Sequence, residues 1–533
     1  MKKTLSILFN IFLCVLLVAN VVLLVRARRP LYVDLSRTDK LHALLALIDN
    51  HYVEGVDRDS LVEQAMPALL SELDPHSVYI PAADLEATNN ELAGSFSGIG
   101  IQFMLQQDTI YVTNVIHGGP AEKVGIFPGD RFVTIDDSLF VGPTLTNESA
   151  MSHLKGPKGT TVTVGVRRNG ESNLLPFTIV RGDIPVKSID AAYLIDGTRY
   201  GLLSVTKFGE TTYAEMLSAI ANLLRQGMEG LIIDLRDNTG GYMAAAMQML
   251  NEFLPKDQVL VYTEGDHSPR QYYNADGTGS CRELPLVVLT NEISASASEI
   301  FAGAIQDNDR GLIVGRRTFG KGLVQQPFEF SDGSAVRLTV ARYFTPSGRC
   351  IQKPYTRGDD PDYQLDILTR YEHGEFFSRD SIRQDESTAY QTLGGRTVYG
   401  GGGIMPDIFV AQDTAGFNAY YMALSRSGLF RTFTFSYTDN HRAALSAYTT
   451  VDALEAHLRS VGLLEQFIAA AERRGIARPT AAQLAEARHN IETVLYGNII
   501  YNMLSMQEYF RFLNRTDPIV QTAIHALDDG IEL

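Results

Sequence analysis

Leu284-Pro285-Leu286-Val287-Val288-Leu289-Thr290-Asn291-Glu292-Ile293-Ser294-Ala295-Ser296-Ala297-Ser298-Glu299 runs from an aliphatic stretch through a polar turn into an Ala-rich segment. It predicts a buried strand over 284–289 and a helix over 297–306. The same order recurs on either side. Upstream, 231–235 reads as a buried strand, followed by a glycine turn and a helix over 242–253. Before that come a strand over 201–208 and a helix over 212–225, with Leu217, Ile220, Leu223 and Leu224 on one side. Downstream, 311–315 reads as a further strand. Alternation across about 191–410 argues for an α/β domain with a mixed sheet covered by helices.

The remainder of the chain has a different texture. Residues 40–73 show apolar positions at helical spacing, stopped by Asp74-Pro75-His76-Ser77, which reads as turn chemistry rather than a ligand set. From 94 to 181, β-branched runs at 110–115, 131–135, 160–166 and 177–180 alternate with Gly, Pro and Asp turns, as in a small β-rich domain. The polar stretch 359–388 reads as a loop or insertion, and 400–403 as a glycine turn. From about 417 onward the chain reads as helical, including 454–471 and 481–512. No internal repeat is visible.

A chain of 533 residues is too long for one core. Its net charge of −16 disfavours a nucleic-acid binder, which needs a basic face for phosphates. Three cysteines, Cys14, Cys281 and Cys350, do not make a disulfide scaffold. The Cys and His residues lack zinc-site spacing, so no metal is expected. Lys2 and Lys3 precede an apolar run over 5–25, long enough to span a bilayer. No small-residue cleavage site precedes Arg26, which favours an uncleaved anchor over a signal peptide. Basic residues flank the run on both sides, so charge does not set its orientation.

Four segments carry candidate chemistry. Ser296-x-x-Glu299 lies at a strand–turn–helix junction, where a nucleophile meets helix N–H groups; taken alone it is a capping box. Gly320-Lys321-Gly322 follows a buried strand, and a buried lysine can be neutral enough to act as a base; alone it is a surface turn. Asp234-Leu235-Arg236-Asp237-Asn238-Thr239-Gly240-Gly241 joins a strand to a helix and can present N–H groups to an oxyanion; alone it is an ordinary βα turn. Gly98-Ile99-Gly100-Ile101 can hold a peptide carboxylate beside a strand edge; alone it is a glycine-containing strand start.

In their order and spacing these segments resemble the C-terminal-processing (tail-specific) serine peptidase family. The motifs are Leu73-Asp74-Pro75-His76-Ser77, Gly98-Ile99-Gly100-Ile101, Asp234-Leu235-Arg236-x-Asn238-x-Gly240-Gly241, Ser294-Ala295-Ser296-Ala297-Ser298-Glu299 and Phe319-Gly320-Lys321-Gly322-x-x-Gln325. They cover about 41–410. The resemblance implies an α/β multidomain protein: a crotonase-like α/β protease core at 182–412 with an inserted β-rich PDZ domain at 91–181. A membrane anchor or signal segment would occupy 1–29, a helical N-terminal region 36–90 and a helical C-terminal region 413–533.

The family places its serine 25 residues before its lysine, which selects Ser296 over Ser294 and Ser298. Helix placement agrees in part, since Ser298 falls inside the predicted helix and Ser294 in the loop before it. By resemblance, Ser296 is the nucleophile, Lys321 the base and Gln325 the residue that holds the lysine amine. Ala297 with Gly240 or Gly241 would bind the oxyanion. Gly98, Ile99, Gly100 and Ile101 would bind the C-termini of protein or peptide substrates, with Ile99, Ile101 and Phe103 lining an apolar groove.

No cofactor is implied. The expected location is a membrane anchored through the N-terminal run, with the catalytic part in the periplasm. The helical tail lies beyond the family motifs, and a homo-oligomeric or regulatory-partner role stays open for it. Three rival readings are a catalytically inactive PDZ scaffold, an acyl-CoA-hydratase-type enzyme and a membrane-anchored structural protein. The presence of all three expected side chains argues against the first, the PDZ-like insert and the Ser/Lys/Gln spacing argue against the second, and the third leaves the Gly320-Lys321-Gly322 turn unexplained.

Overall fold

A computed structural model describes residues 40–530, apart from 86–87, 89–93, 107, 359 and 384–385. The chain divides into two compact units, one ending at Leu69 and one beginning at Leu70. The first holds helix Lys40–His51 and most of helix Arg58–Ser71. Among the described residues no helix is long and apolar enough to cross a membrane. The expectation of a membrane-anchored, periplasmic protein is corrected on that finding; the apolar run over 5–25 on which it rested lies outside the described residues.

The second unit is built on a six-stranded sheet whose strands follow one another in chain order: β1 (Ile189–Leu194), β2 (Tyr200–Val205), β3 (Gly230–Asp234), β4 (Leu286–Thr290), β5 (Leu312–Gly315) and β6 (Ile408–Phe409). β1 runs antiparallel to β2, and every later pairing is parallel. Parallel strands need crossover helices, which bury both faces of the sheet. Alternate residues sort accordingly. Leu203, Leu231, Ile233, Leu286, Val288 and Ile313 face a core shared with helices α1 (Thr212–Arg225), α2 (Met243–Asn251) and α3 (Ala297–Asp307). Leu202, Ile232, Val287, Leu289, Leu312 and Val314 face the other way.

A second sheet has the order Val78–Ile80, Ala335–Phe344, Val259–Gly265, Ser268–Asn274, with Leu323–Glu329 also paired to Ala335–Phe344. Leu323–Glu329 begins two residues after Lys321, so this hairpin carries the lysine loop.

The stretch read as a polar loop instead contains a 13-residue helix, α4 (Asp360–Glu372). Its inward residues are Tyr363 and Arg370, each less than 6% exposed, while Leu365, Leu368 and Tyr371 point to solvent. This inversion of the usual pattern hides the helix from a periodicity reading. Arg370 is neutralised by Glu375 and donates to the carbonyls of Arg317 and Thr318.

Beyond the sheet lies a helical region containing α5 (Leu429–Leu445) and α6 (Ala481–Met503). The helix read over 454–471 is two, Val451–Ser460 and Leu463–Arg473, parted where Gly462 takes φ +64°. The helix read over 481–512 also ends early, and Ser505 caps a new one at Met506–Asn514. The final helix, α7 (Pro518–Asp528), returns to the sheet. Ile519, Val520, Ala523 and Ile524 cover the face opposite α1–α3.

The β-rich module is a sheet of Ile101–Gln106, Thr109–Val115, Arg131–Ile135, Thr161–Arg167 and Leu175–Val180, in that order. It packs with helix Asn147–Leu154 around Ile110, Val112, Phe132, Val164 and Ile179. The chain enters and leaves it through one antiparallel ladder, Ser95–Gly98 with Gly182–Pro185.

Candidate active site

The turn between β4 and α3 is held from three sides. Ser296 is the N-cap residue of α3, at φ +56° and ψ −113°, a conformation rare for a residue with a Cβ. Such strain persists only where the surroundings fix it. Ser294 and Ser298 do part of that work: their hydroxyls, both buried, donate to Leu235 O at 2.7 Å and Asn238 O at 2.9 Å. Those bonds pin the turn to the 235–241 loop and commit both hydroxyls to structure. Half-buried Ser296 lies between them.

The 235–241 loop explains its own glycines. A Cβ on Gly240 would stand 2.8 Å from Ser296 Cβ and 3.0 Å from Ala297 N; one on Gly241 would stand 2.2 Å from Phe208 O. Both glycines have positive φ, +106° and +140°. The buried Asn238 side chain accepts the Gly240 N–H at 2.8 Å and donates to Val205 O at 2.8 Å. Gly240 therefore has a structural partner for its N–H. Among the described residues, the N–H groups of Gly241 and Ala297 have no protein acceptor.

Lys321 reaches this turn through Glu299. The Glu299 side chain is fully buried. One oxygen accepts Thr318 Oγ1 at 2.6 Å and Gly320 N at 2.8 Å; the other accepts Lys321 N at 2.8 Å and Ser296 N at 2.9 Å. The Glu299 half of the capping box forms, while the Ser296 hydroxyl makes no cap bond, and the same carboxyl group also ties the serine turn to the lysine loop. Tyr343 adds a second tie: its hydroxyl donates to Ser296 O at 3.1 Å and contacts Lys321 O. Burial pushes the Glu299 carboxyl up to about 7, against the pull of its four donors.

The lysine side chain is half-buried rather than solvated. Desolvation holds its ammonium below the ordinary lysine value; Arg337 adds like-charge repulsion, and Glu299 and Asp74 pull the other way. Its Nζ donates to Gln325 Oε1 at 3.2 Å, and Gln325 Nε2 donates to His76 O at 2.5 Å. Buried Asp74 shapes that carbonyl's turn by accepting the N–H groups of His76 and Ser77 and the hydroxyls of Ser77 and Thr339. The His76 ring meets Tyr363 OH at 2.9 Å, and burial lowers its pKa to about 4, so it is neutral near pH 7. The turn motif thus has a second use, as a backbone mount for Gln325. Sequence reading missed Tyr343, Tyr363 and the bridging role of Glu299. Only Glu299 carried a signal, as part of the capping box.

In the β-rich module, Gly100 takes φ +78°. Its carbonyl accepts Ile116 N at 2.9 Å, and that of Ile99 accepts Ala121 N at 2.8 Å. Gly98 pairs with Gly182 in the ladder. The Ile99 side chain is only 2% exposed and belongs to the module's core, so it does not line a groove; partly buried Ile101 and Phe103 remain for that. Strand Ile101–Gln106 is terminal in its sheet and pairs with Thr109–Val115 on one side. Among the described residues no cluster of His, Cys, Asp or Glu side chains could hold a metal. Cys281 and Cys350 are both free thiols.

Comparison with known proteins bears on the family. The model of peptidase family S41 matches residues 199–365, and a PDZ domain model matches 97–177. Residues 420–505 match a family of unknown function (DUF8443). The carboxy-terminal processing protease CtpB of Bacillus subtilis is 34% identical over 331 residues, covering 61% of this chain and 68% of that protein. CtpA of the same organism is 33% identical over 349 residues, covering 64% and 74%. Among solved structures, the photosystem II D1 C-terminal processing protease is 28% identical and covers 70% of this chain and 87% of its own, with a TM-score of 0.36. A putative S41 protease from Bacteroides fragilis is 15% identical, with a TM-score of 0.38 and coverage of 65% and 99%. With a third of the aligned positions identical across two thirds or more of both Bacillus proteins, the chain belongs to the S41 family of carboxy-terminal processing serine proteases, and it carries that family's catalytic domain together with a PDZ domain.

Proposed function

We propose that the chain hydrolyses peptide bonds with a Ser296/Lys321 dyad, acting on proteins whose free C-termini are held by the PDZ domain. The observation that carries this reading is the pairing of a strained, half-buried Ser296 with a lysine whose ammonium is destabilised by burial, both on backbone fixed by Glu299. Neutral Lys321 Nζ takes the Ser296 hydroxyl proton as Oγ bonds to the substrate carbonyl carbon. The N–H groups of Gly241 and Ala297 receive the oxyanion; one such donor is worth about 3–4 kcal/mol. The C–N bond then breaks, and the protonated lysine gives its proton to the departing amine. Lys321 next deprotonates a water, which releases the acyl group and regenerates the serine. Gln325 keeps the amine directed throughout. Gly98, Gly100 and the outer edge of Ile101–Gln106, which among the described residues pairs with no second strand, suit an added peptide strand with its carboxylate at the loop.

The test is incubation of the full chain with an unstructured protein bearing a free C-terminus, with products read by mass spectrometry. Wild type is expected to cleave, and Ser296→Ala, shown folded by circular dichroism, to leave the substrate intact. Cleavage by the folded variant at the wild-type rate would remove Ser296 from the mechanism.

A further inference from the structure

The helical region matching a family of unknown function touches the PDZ domain at three places. Asp439 of α5, with its side chain 10% exposed, accepts Arg131 Nη2 at 3.0 Å and Asn169 Nδ2 at 3.1 Å. Its carboxylate lies against Gly129, where a Cβ would come within 2.5 Å of Oδ1. Phe435, one turn earlier, meets Tyr111 edge-on at 5.4 Å. Tyr501, near the end of α6, donates to Gln102 Oε1 at 2.7 Å, and Gln102 lies on the edge strand that a bound peptide would extend. These contacts match in kind: one carboxylate to two donors, ring to ring, hydroxyl to amide.

A domain joined to its host by a four-pair ladder is free to reorient unless something else holds it. We propose that residues 420–505 form a clasp that fixes the PDZ domain in one orientation, so that a tail bound there is presented to the catalytic turn at a set separation. The inference rests on the reading that the PDZ domain captures substrate tails. Its physical content is effective concentration. A ligand held by a rigid mount reaches a second site more often than one on a swinging tether, with no new contact to the substrate. The Asp439 pair suits the task because it is largely withdrawn from solvent, where an ion pair with two donors is directional and costly to open on one side.

The experiment uses the full chain carrying Asp439→Ala, with Tyr501→Phe and Arg131→Ala opening the same contacts separately. Hydrogen exchange is expected to quicken in Ser95–Gly98 and Gly182–Pro185. KM for a long substrate with a free C-terminus should rise roughly tenfold or more as effective concentration falls, at unchanged kcat. A short peptide or a C-amidated substrate should be cleaved as by wild type. Unchanged exchange together with unchanged KM overturns the clasp, as does an equal loss on substrates with and without a tail. If wild type does not distinguish free from amidated tails, the capture reading fails instead, and the exchange data alone decide the clasp.

Discussion

At the scale of residues, the proposed dyad depends on one amine losing its proton and one buried carboxyl group keeping its donors. Burial destabilises the Lys321 ammonium, so the neutral form is reached at lower pH than for a free lysine. A lysine base works only when unprotonated, so the role proposed for Lys321 predicts that kcat/KM climbs as pH rises from mildly acidic to mildly alkaline. His76, already neutral above about 4, contributes no step of its own in that range, whereas Glu299, pushed up to about 7, loses its proton within it. A pH–rate profile on a tail-bearing substrate checks this; a flat profile would take Lys321 out of the base role. Glu299 is the quieter partner. Each oxygen serves two donors, and a buried donor left without an acceptor costs about 1–3 kcal/mol.

At the scale of elements, the decisive piece is the loop from β3 into α2, which brings Gly240 against the start of α3 and Gly241 against the backbone of Phe208. Gly241→Ala would drive a methyl into Phe208 O at a φ that alanine rarely adopts. The expected result is a fall in kcat of about a hundredfold or more, with KM little changed, as when an oxyanion donor is displaced. Steady-state kinetics beside a thermal melt separates this from unfolding.

Much of this level was legible in the sequence, because local rules govern it. The aliphatic runs of β3 and β4 and the amphipathic face of α1, read as a helix over 212–225, fall where structure has them. What stayed hidden depends on partners far along the chain. α4 is anchored by Tyr363, buried beside His76 and Gln352, and by Arg370, buried beside Thr318 and Glu375. Tyr343 enters the site across a hairpin that no spacing announces. The breaks at Gly462 and Ser505 were masked by continuous runs of good helix formers. The motif residues of the site were visible as a set only through resemblance, since each segment alone has an ordinary structural explanation.

At the scale of the whole molecule, the last helix belongs to the protease sheet. α7 covers Ile232, Val287, Leu289 and Val314. Its cap, Asp517, also pairs with Arg236 at 2.6 Å, beside the Arg236–Asp234 pair. Burying each large aliphatic side chain contributes about 1.5–3 kcal/mol, and a domain's net stability is only about 5–15 kcal/mol. Ending the chain at residue 516 should therefore leave it insoluble or lower its melting temperature sharply, in a thermal scan against the full chain. A truncated chain that melts like the full one would show the helix to be dispensable. The Glu299 bridge sets the terms on which such a molecule is controlled. The Ser296 turn and the Lys321 loop are moored to one buried carboxyl group, so shifting the backbone of either breaks a hydrogen bond that also supports the other. An inhibitor or activator that acts reversibly must then leave this machinery assembled, and regulate by admitting or refusing the polypeptide that reaches it.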